Sequence, residues 1–155
     1  MLLTPHVFVG LVIARVIPNP LLAIVLSLLS HFLGDLVPHW DFFSRTKKEE
    51  CLRGWRPIAV MADFGLGIAV GVFFVLNALW VKSNSNLALT NFLCGISAVL
   101  PDALEAPYLY MDKTPFGLKH LLALQRKMQV QAPFLVGIST QLAVIIMSTL
   151  FLASN

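Results

Sequence analysis

The segment IAVMADFGLGIAVGVFFVLNALWV, residues 58–81, indicates the fold class, because it runs for 24 residues with a single ionisable side chain, Asp63. A helix needs about 20 consecutive apolar residues to cross the hydrocarbon core of a bilayer. The rest of the chain agrees: 57% of its 155 residues are hydrophobic, 12% are charged and the mean hydropathy is +0.80. Soluble domains carry about 25% charged residues. The sequence therefore predicts an all-α integral membrane protein.

Four further apolar segments flank this one. They comprise residues 2–17, 21–37, 87–100 (or 87–110) and 132–153. Prolines separate the first two segments and follow the second, and proline does not continue a helix interior. We expect a polytopic bundle of five transmembrane helices that forms a single domain, residues 1–155.

The basic residues predict how the bundle is oriented. Nine of the eleven lysines and arginines lie in two loops on the same side of a five-helix bundle: Arg45, Lys47, Lys48, Arg53 and Arg56 after the second segment, and Lys113, Lys119, Arg126 and Lys127 after the fourth. Cytoplasmic loops carry the excess of basic residues in membrane proteins. We therefore expect a multi-pass protein of a bacterial or archaeal inner membrane, with its N-terminus in the cytoplasm and its C-terminus outside.

The second basic loop has an amphipathic pattern. Thr114 can cap a helix that begins at Pro115. Apolar and basic residues then alternate with helical spacing: Phe116, Leu121, Leu122, Leu124 and Met128 against Lys119, His120, Arg126 and Lys127. This pattern is typical of a short helix that lies on the cytoplasmic lipid surface. A solvated loop is the alternative.

Most ionisable side chains of the apolar segments fall at one membrane depth. His6, His39, Asp63 and Asp102 lie at the cytoplasmic ends of four different segments, and they are accompanied by Asp41 and Glu105. His31 and Asp35 are four residues apart, and so share one helical face slightly deeper in the membrane. Charged groups in hydrocarbon are costly and normally mark a functional site. The sequence predicts a polar cup open to the cytoplasm.

Histidine and aspartate at this spacing are suitable ligands for a divalent metal. Imidazole nitrogen and carboxylate oxygen suit zinc, and also manganese or iron. The predicted metal ligands are His6, His31, Asp35, His39 and Asp102, with Asp41 and Glu105 as additional candidates, for one to three ions. Simpler roles exist for some: His6 as an interfacial anchor, Asp41 as a cap, Glu105 facing headgroups and His120 as a surface residue. No serine-hydrolase, nucleotide-binding or zincin motif occurs in the sequence.

The motif SHFLGDLVPHWD, residues 30–41, with TPH at 4–6 and VLPD at 99–102, resembles the LexA-regulated, membrane-bound, predicted metal-dependent hydrolases of bacterial inner membranes. More distantly, H-F-x-G-D followed by a further histidine is similar to the zinc-dependent phospholipase C and P1 nuclease group, all-helical enzymes with a cluster of zinc ions. The resemblance implies that His31 and Asp35 are paired metal ligands. It also implies that His6 matches the early histidine of the family and that Asp102 matches the aspartate of its L-P-D motif.

We therefore expect a metal-dependent hydrolase that cleaves a lipid or lipid-like phosphoester at the cytoplasmic membrane face. Asp63 or Asp102 is the predicted general base. Four basic residues are predicted to hold the phosphate or headgroup: Arg45, Lys47, Lys48 and Lys119. The alternative is a non-enzymatic membrane protein that binds or transports a divalent metal ion or protons through the same cluster. Membrane lipids are the expected partners, and no feature predicts nucleic-acid binding.

Overall fold

A computed structural model describes residues 1–43, 46, 48–110 and 117–154, with the backbone alone for residues 48, 49, 107, 109 and 110. The α-helices of the described residues are, in chain order, α1 (Leu3–Val16), α2 (Pro20–Asp35), α3 (Lys48–Cys51), α4 (Arg56–Leu76), α5 (Ser85–Tyr110), α6 (Leu118–Met128) and α7 (Phe134–Ser154). A π-helical turn, Asn77–Val81, extends α4. The described residues contain no β-strand. The predicted all-α class is therefore confirmed.

Helix α1 lies at the centre of the bundle, in contact with α2, α4, α5 and α7. Its crossing with α5 is close, because a Cβ atom at Gly10 would lie 2.8 Å from the carbonyl oxygen of Cys94 and 3.0 Å from the Cβ of Ala98. Helix α4, by contrast, buries only Gly67. The helix that carries His6 is thus the most enclosed one, and α4 is peripheral.

Three helices are long and apolar enough to cross a membrane: residues 56–81, 85–106 and 134–154. Helices α1 and α2 are also apolar, but have 14 and 16 residues. At 1.5 Å per residue they are about 21 and 24 Å long, less than the hydrocarbon thickness of about 30 Å. The predicted membrane character is therefore supported by three helices, whereas a total of five spans stays a prediction.

The predicted boundaries are correct to within about two residues for most segments. The fourth segment follows the longer of its two predicted courses, since α5 continues through Pro101 to Tyr110. Helix α2 ends at Asp35, two residues before the predicted end. The chain from 36 onward is therefore free to turn back beside α6.

Helix α6 confirms the predicted amphipathic helix but begins at Leu118, and Gly117 precedes it with a left-handed φ of 85°. The predicted start, Thr114 to Phe116, lies outside the described residues. Leu118, Leu122 and Gln125 are buried, and α6 contacts α2 and α5. One face of α6 therefore covers the end of the bundle, while Lys119, His120, Arg126 and Lys127 are on the exposed face.

The segment after α6 is joined to the end of α2 by backbone hydrogen bonds. The amide of Val130 donates to the carbonyl of Asp35 (2.9 Å), the amide of His39 to Val130 (3.0 Å) and the amide of Ala132 to His39 (2.8 Å). Gly137 of α7 closes against the same segment, because a Cβ there would overlap the backbone of His39 and Trp40. These contacts fix the position of His39 and hold α6 over the site.

Candidate metal centre

The site is built around the first turn of α1, whose backbone amides find acceptors on other helices. The amide of Leu2 donates to Oε1 of Gln141 on α7 (2.8 Å). Those of Leu3 and Thr4 donate to the Asp63 carboxylate on α4 (2.6 and 3.2 Å), and Pro5 has no amide hydrogen. The four N-terminal amide positions of a helix normally lack partners within it, and here each is accounted for. The turn can therefore be buried with His6 at its end.

His6 packs directly on α2 and beside His31. A Cβ atom at Gly34 would lie 3.1 Å from Cε1 of His6, so a larger residue would crowd this ring. The His6 and His31 rings are stacked, with centroids 4.2 Å apart and planes 23° from parallel. The glycine between His31 and Asp35 thus lets the two imidazoles come together.

Three predicted ligands form the trio, which we define as His6, His31 and Asp102, since one ligand atom from each lies within 4.8 Å of the other two. His31 Nε2 is 3.4 Å from Asp102 Oδ1. Asp35 lies beside both imidazoles, with carboxylate oxygens 3.4 Å from His6 Nε2 and 3.6 Å from His31 Nε2. Helices α1, α2 and α5 therefore bring four of the five predicted ligands together.

The separation between His31 and Asp102 suits two ligands of one ion better than a hydrogen bond. Good hydrogen bonds to nitrogen are about 2.7–3.2 Å long. Ligands at the corners of a tetrahedron, bound at about 2.0–2.1 Å from a zinc ion, are about 3.3–3.4 Å apart. The 3.4 Å between His31 Nε2 and Asp102 Oδ1 is close to this edge length. Asp35 approaches the two imidazoles with different oxygens, and its Oδ1 also accepts a hydrogen bond from the N-terminal ammonium of Met1 (2.5 Å).

Four buried ligand atoms of this cluster have no hydrogen-bond partner among the described residues. They are Nε2 of His6, Nε2 of His31, Nε2 of His39 and Oδ2 of Asp35. The four side chains are no more than 1% exposed. A buried polar atom without a partner is unfavourable by about 1–3 kcal/mol, and such atoms in native proteins often mark an ion. Four of them together indicate a cation site.

Hydrogen bonds at Nδ1 of His31 and His39 set the imidazole tautomer that metal binding at Nε2 requires. Nδ1 of His31 is 2.8 Å from the Ala98 carbonyl oxygen, and Nδ1 of His39 is 2.9 Å from that of Val37. A carbonyl oxygen only accepts, so Nδ1 carries the hydrogen in both rings. The Nε2 lone pair is then left available to a metal, as in many histidine sites.

Gln125 on α6 is a site residue that the sequence reading missed. Its side chain is 1% exposed, and its Nε2 donates a hydrogen bond to Asp102 Oδ1 (3.1 Å). Contacts of this kind orient the ligands of metal sites. A neutral glutamine in an amphipathic helix gives no signal of such a role, but its spacing of three and seven residues from Leu122 and Leu118 places it on the buried face.

His39 and Asp41 lie at the edge of the cluster. His39 is fully buried, and its Nε2 is 3.8 Å from Asp41 Oδ2. Burial lowers the pKa of His39 below its ordinary value, so the imidazole is neutral at pH 7. Asp41 accepts a hydrogen bond from the Phe43 amide (2.7 Å), which agrees with the capping role considered for it. Neither residue belongs to the trio.

Asp63 stands apart from the trio. Its two carboxylate oxygens accept hydrogen bonds from the amides of Leu3 and Thr4, and the Thr4 hydroxyl donates a further one to Oδ1 (2.6 Å). The carboxylate therefore caps α1 from a neighbouring helix. It also lines the cavity described next, so the role of general base stays a prediction for Asp63.

A cavity of about 440 Å³ adjoins the trio. Its carboxylates are Asp41, Asp63, Asp102 and Glu105, and among the described residues its basic side chain is Arg126. Lys119, predicted to bind phosphate, is exposed on α6 and does not line the cavity. Arg45 and Lys47 lie outside the described residues, as does the side chain of Lys48. Arg126 is thus the basic side chain that lines the cavity in the described chain, whereas its amphipathic pattern predicted a place at the lipid surface.

No family model, curated protein or solved structure matches this chain. The geometry described above therefore stands alone as the basis for a functional assignment.

Proposed function

We propose that the chain is a membrane-embedded hydrolase that binds a divalent metal ion and cleaves phosphoesters at the membrane face. One observation carries the proposal: Nε2 of His6 and Nε2 of His31 are buried without hydrogen-bond partners among the described residues, and they group with Asp102 in a set of side chains that could hold a metal ion. A structural polar network would instead satisfy its own atoms, because an unpartnered polar group in a low-dielectric interior is costly. The same ligand set next to an apolar cavity is suited to an enzyme that acts on an amphiphilic substrate.

His6, His31 and Asp102 would hold the ion, with Asp35 beside both imidazoles. Zinc is the metal we favour, and manganese or iron suits the same donors. His39 and Asp35 add further unpartnered ligand atoms, so the site has donors for more than one ion. When bound, such an ion makes water acidic enough to attack near neutral pH and polarises a phosphoryl oxygen.

The other residues of the site position these ligands. Ala98 and Gln125 hold His31 and Asp102 by hydrogen bonds, and Asp63 holds the first turn of α1 below His6. The two carboxylates predicted as general base both line the cavity, but Asp102 is already a proposed ligand, so Asp63 is the one outside the trio. The resemblance to the LexA-regulated membrane hydrolases agrees with this arrangement, and it remains part of the proposal.

The distribution of basic residues indicates on which side of the membrane the site lies. With five spans, nine of eleven basic residues are on the side of the trio, and the positive-inside rule then places the site at the cytoplasmic face. Lipid phosphate groups lie at that depth. We therefore infer that the substrate is a lipid or lipid-like phosphoester.

The test is metal analysis of the detergent-purified protein, followed by phosphatase and phospholipase assays with the metal found. Wild type should retain close to one or more ions per chain, whereas His31→Ala and Asp102→Ala should lose them and their activity. His120→Ala is the matched control, since His120 is an exposed histidine on α6 and should keep both. Metal content unchanged in His31→Ala would show that the trio is not the metal site.

Ion transport through the same cluster is the alternative, and the opposite end of the bundle argues against it. The polar pocket there is lined by Arg15 and Lys82 with Asn77 and Asn91. Two cationic side chains repel a divalent cation. A metal-uptake assay in vesicles separates the two functions, because an enzyme of this kind should move no metal across the bilayer.

A further inference from the structure

The cavity beside the trio has walls suited to a hydrocarbon chain. Its volume, about 440 Å³, falls in the range of about 300–1,000 Å³ that is usual for ligand pockets. Its apolar walls come from α4 and α5, with Val60, Met61 and Phe64 on one side and Val99 and Ala103 on the other. Asp102 belongs to both the cavity and the trio, so the cavity adjoins the candidate metal centre.

The α4 wall of this cavity is accessible from the side of the bundle. Met61 is 62% exposed and Phe64 is 42% exposed, and both lie in a helix long and apolar enough to span the membrane. Exposed apolar side chains of such a helix face lipid. A lipid chain that moves from the bilayer into the cavity exchanges one apolar environment for another, so its transfer has little hydrophobic cost or gain. Selection then depends on the shape of the cavity and on the headgroup.

The charges of the lining restrict where an anionic group can lie. Three of the four carboxylates accept hydrogen bonds from the protein: Asp63 from the α1 amides, Asp41 from the Phe43 amide and Asp102 from Gln125. These bonds hold the carboxylates in place and leave them charged. An anionic head is therefore favoured only beside Arg126 and the ion proposed for the trio.

Arg126 is a suitable group for a phosphate at the mouth of the cavity. Its guanidinium carbon lies 6.0 Å from the centre of the Tyr108 ring, and Nη2 is 3.4 Å from the Tyr108 hydroxyl oxygen. Stacking on an aromatic ring orients a guanidinium without using up its five hydrogen-bond donors, which match phosphate oxygens. The side chain is otherwise exposed, so these donors are accessible.

We propose that the cavity between α4 and α5 holds one aliphatic chain of a membrane lipid, with the lipid phosphate between Arg126 and the trio. Ala103 then limits the space for the chain, and Arg126 selects a phosphate-bearing head. The role of this lipid as substrate rests on the proposed hydrolase function, whereas its binding can be measured separately.

Photo-labelling tests the inference on the full chain in phosphatidylcholine nanodiscs. The probe is a long-chain alkyl phosphate that carries a diazirine at the end of its chain, and the labelled residues are mapped by peptide mass spectrometry. We expect labels on the cavity walls of α4 and α5. Ala103→Trp should fill the cavity and reduce labelling there at least fivefold, with metal content retained. Leu104→Trp is the matched control, because Leu104 is exposed next along α5 but lies outside the cavity.

A second arm tests Arg126 with two probes that differ only in the head. Arg126→Gln should reduce labelling by the alkyl phosphate severalfold and leave labelling by the corresponding alkyl alcohol unchanged. Lys127→Gln, an exposed neighbour on the same helix, should change neither. Equal losses for both probes would exclude recognition of the phosphate by Arg126.

Labels spread evenly over the lipid-facing helices, or undiminished in Ala103→Trp, would overturn the inference. Hydrolysis is read in a separate assay with a short, water-soluble phosphoester. A protein that binds metal and cleaves this ester but gives no cavity label refutes the lipid site alone. A labelled cavity in a protein that hydrolyses nothing refutes the hydrolase and leaves the lipid site.

Discussion

Replacing Gln125 by leucine tests whether α6 is part of the metal centre. Leucine fits the buried position but cannot donate to Asp102, which would lose its 3.1 Å hydrogen bond. A hydrogen bond to a charged group contributes about 1.5–3 kcal/mol, which corresponds to about 10- to 150-fold in an equilibrium constant. Loss of a contact that orients a metal ligand typically weakens metal binding about 10- to 100-fold. We expect the zinc Kd to rise by about this factor.

Thermal stability should respond differently from metal affinity. Oε1 of Gln125 is buried and has no partner among the described residues, so leucine removes an unfavourable acceptor along with the donor. This gain opposes the loss of the hydrogen bond to Asp102, so the melting temperature of the metal-free protein should change little. A merely structural role for Gln125 predicts the opposite, namely lower stability with unchanged metal affinity.

The assay is competition for zinc with a chelator of known affinity, in detergent, alongside thermal unfolding of the metal-free protein. Lys127→Leu is the control, because it places the same side chain on the exposed face of α6. Wild-type zinc affinity in Gln125→Leu would mean that Asp102 needs no support from α6 or is not a ligand.

Three further results are expected. Gly34→Ala should displace the His6 imidazole, because the added Cβ would lie 3.1 Å from the ring, and should therefore lower the metal content. Gly65→Ala is the control, since it has open space around it and should keep the metal content of wild type. Elemental analysis measures both. Asp63→Ala leaves two amides of α1 without acceptors and should destabilise the fold by about 1–3 kcal/mol for each, measured by thermal unfolding, and a melting temperature like wild type would contradict the cap. For topology, a single cysteine at position 120 in place of His120 should react with an impermeant thiol reagent only from the cytoplasmic side. A single cysteine in place of Ser83 should react only from outside. The opposite pattern of labelling would show that the bundle has the inverse orientation.

The convergence of the predicted metal ligands could be foreseen from the sequence. His6, His31 and Asp102 lie near the ends of three different apolar segments, and alternating helix directions bring those ends to one side. The four-residue spacing of His31 and Asp35 also predicted that the two side chains lie side by side. His31 Nε2 is 3.6 Å from Asp35 Oδ2 across one helical turn. Both inferences rest on local periodicity and on the order of segments, which are properties that a sequence contains.

The contacts between segments were not predictable in the same way. Nothing in the sequence indicates that the short first helix lies at the centre, because its 14 residues are no more apolar than those of α4. Without that position, the approach of Asp63 to the start of α1 has no signal. Arg126 and Lys119 likewise look equivalent in an amphipathic pattern, and only the rotation of α6 over the bundle places Arg126 at the cavity.

Hydrogen bonding separates the polar residues around the first turn of α1 into two groups. Asp63 and Gln141 have acceptor atoms filled by amides of α1, so burying the turn that carries His6 is sufficient reason for both. His6, His31, His39 and Asp35 retain buried atoms that no described residue satisfies. The first group stabilises the fold whether or not an ion binds. The second is unfavourable in the fold alone, and a bound cation would remove that cost. Metal should therefore raise the melting temperature of the wild type and leave that of His31→Ala unchanged.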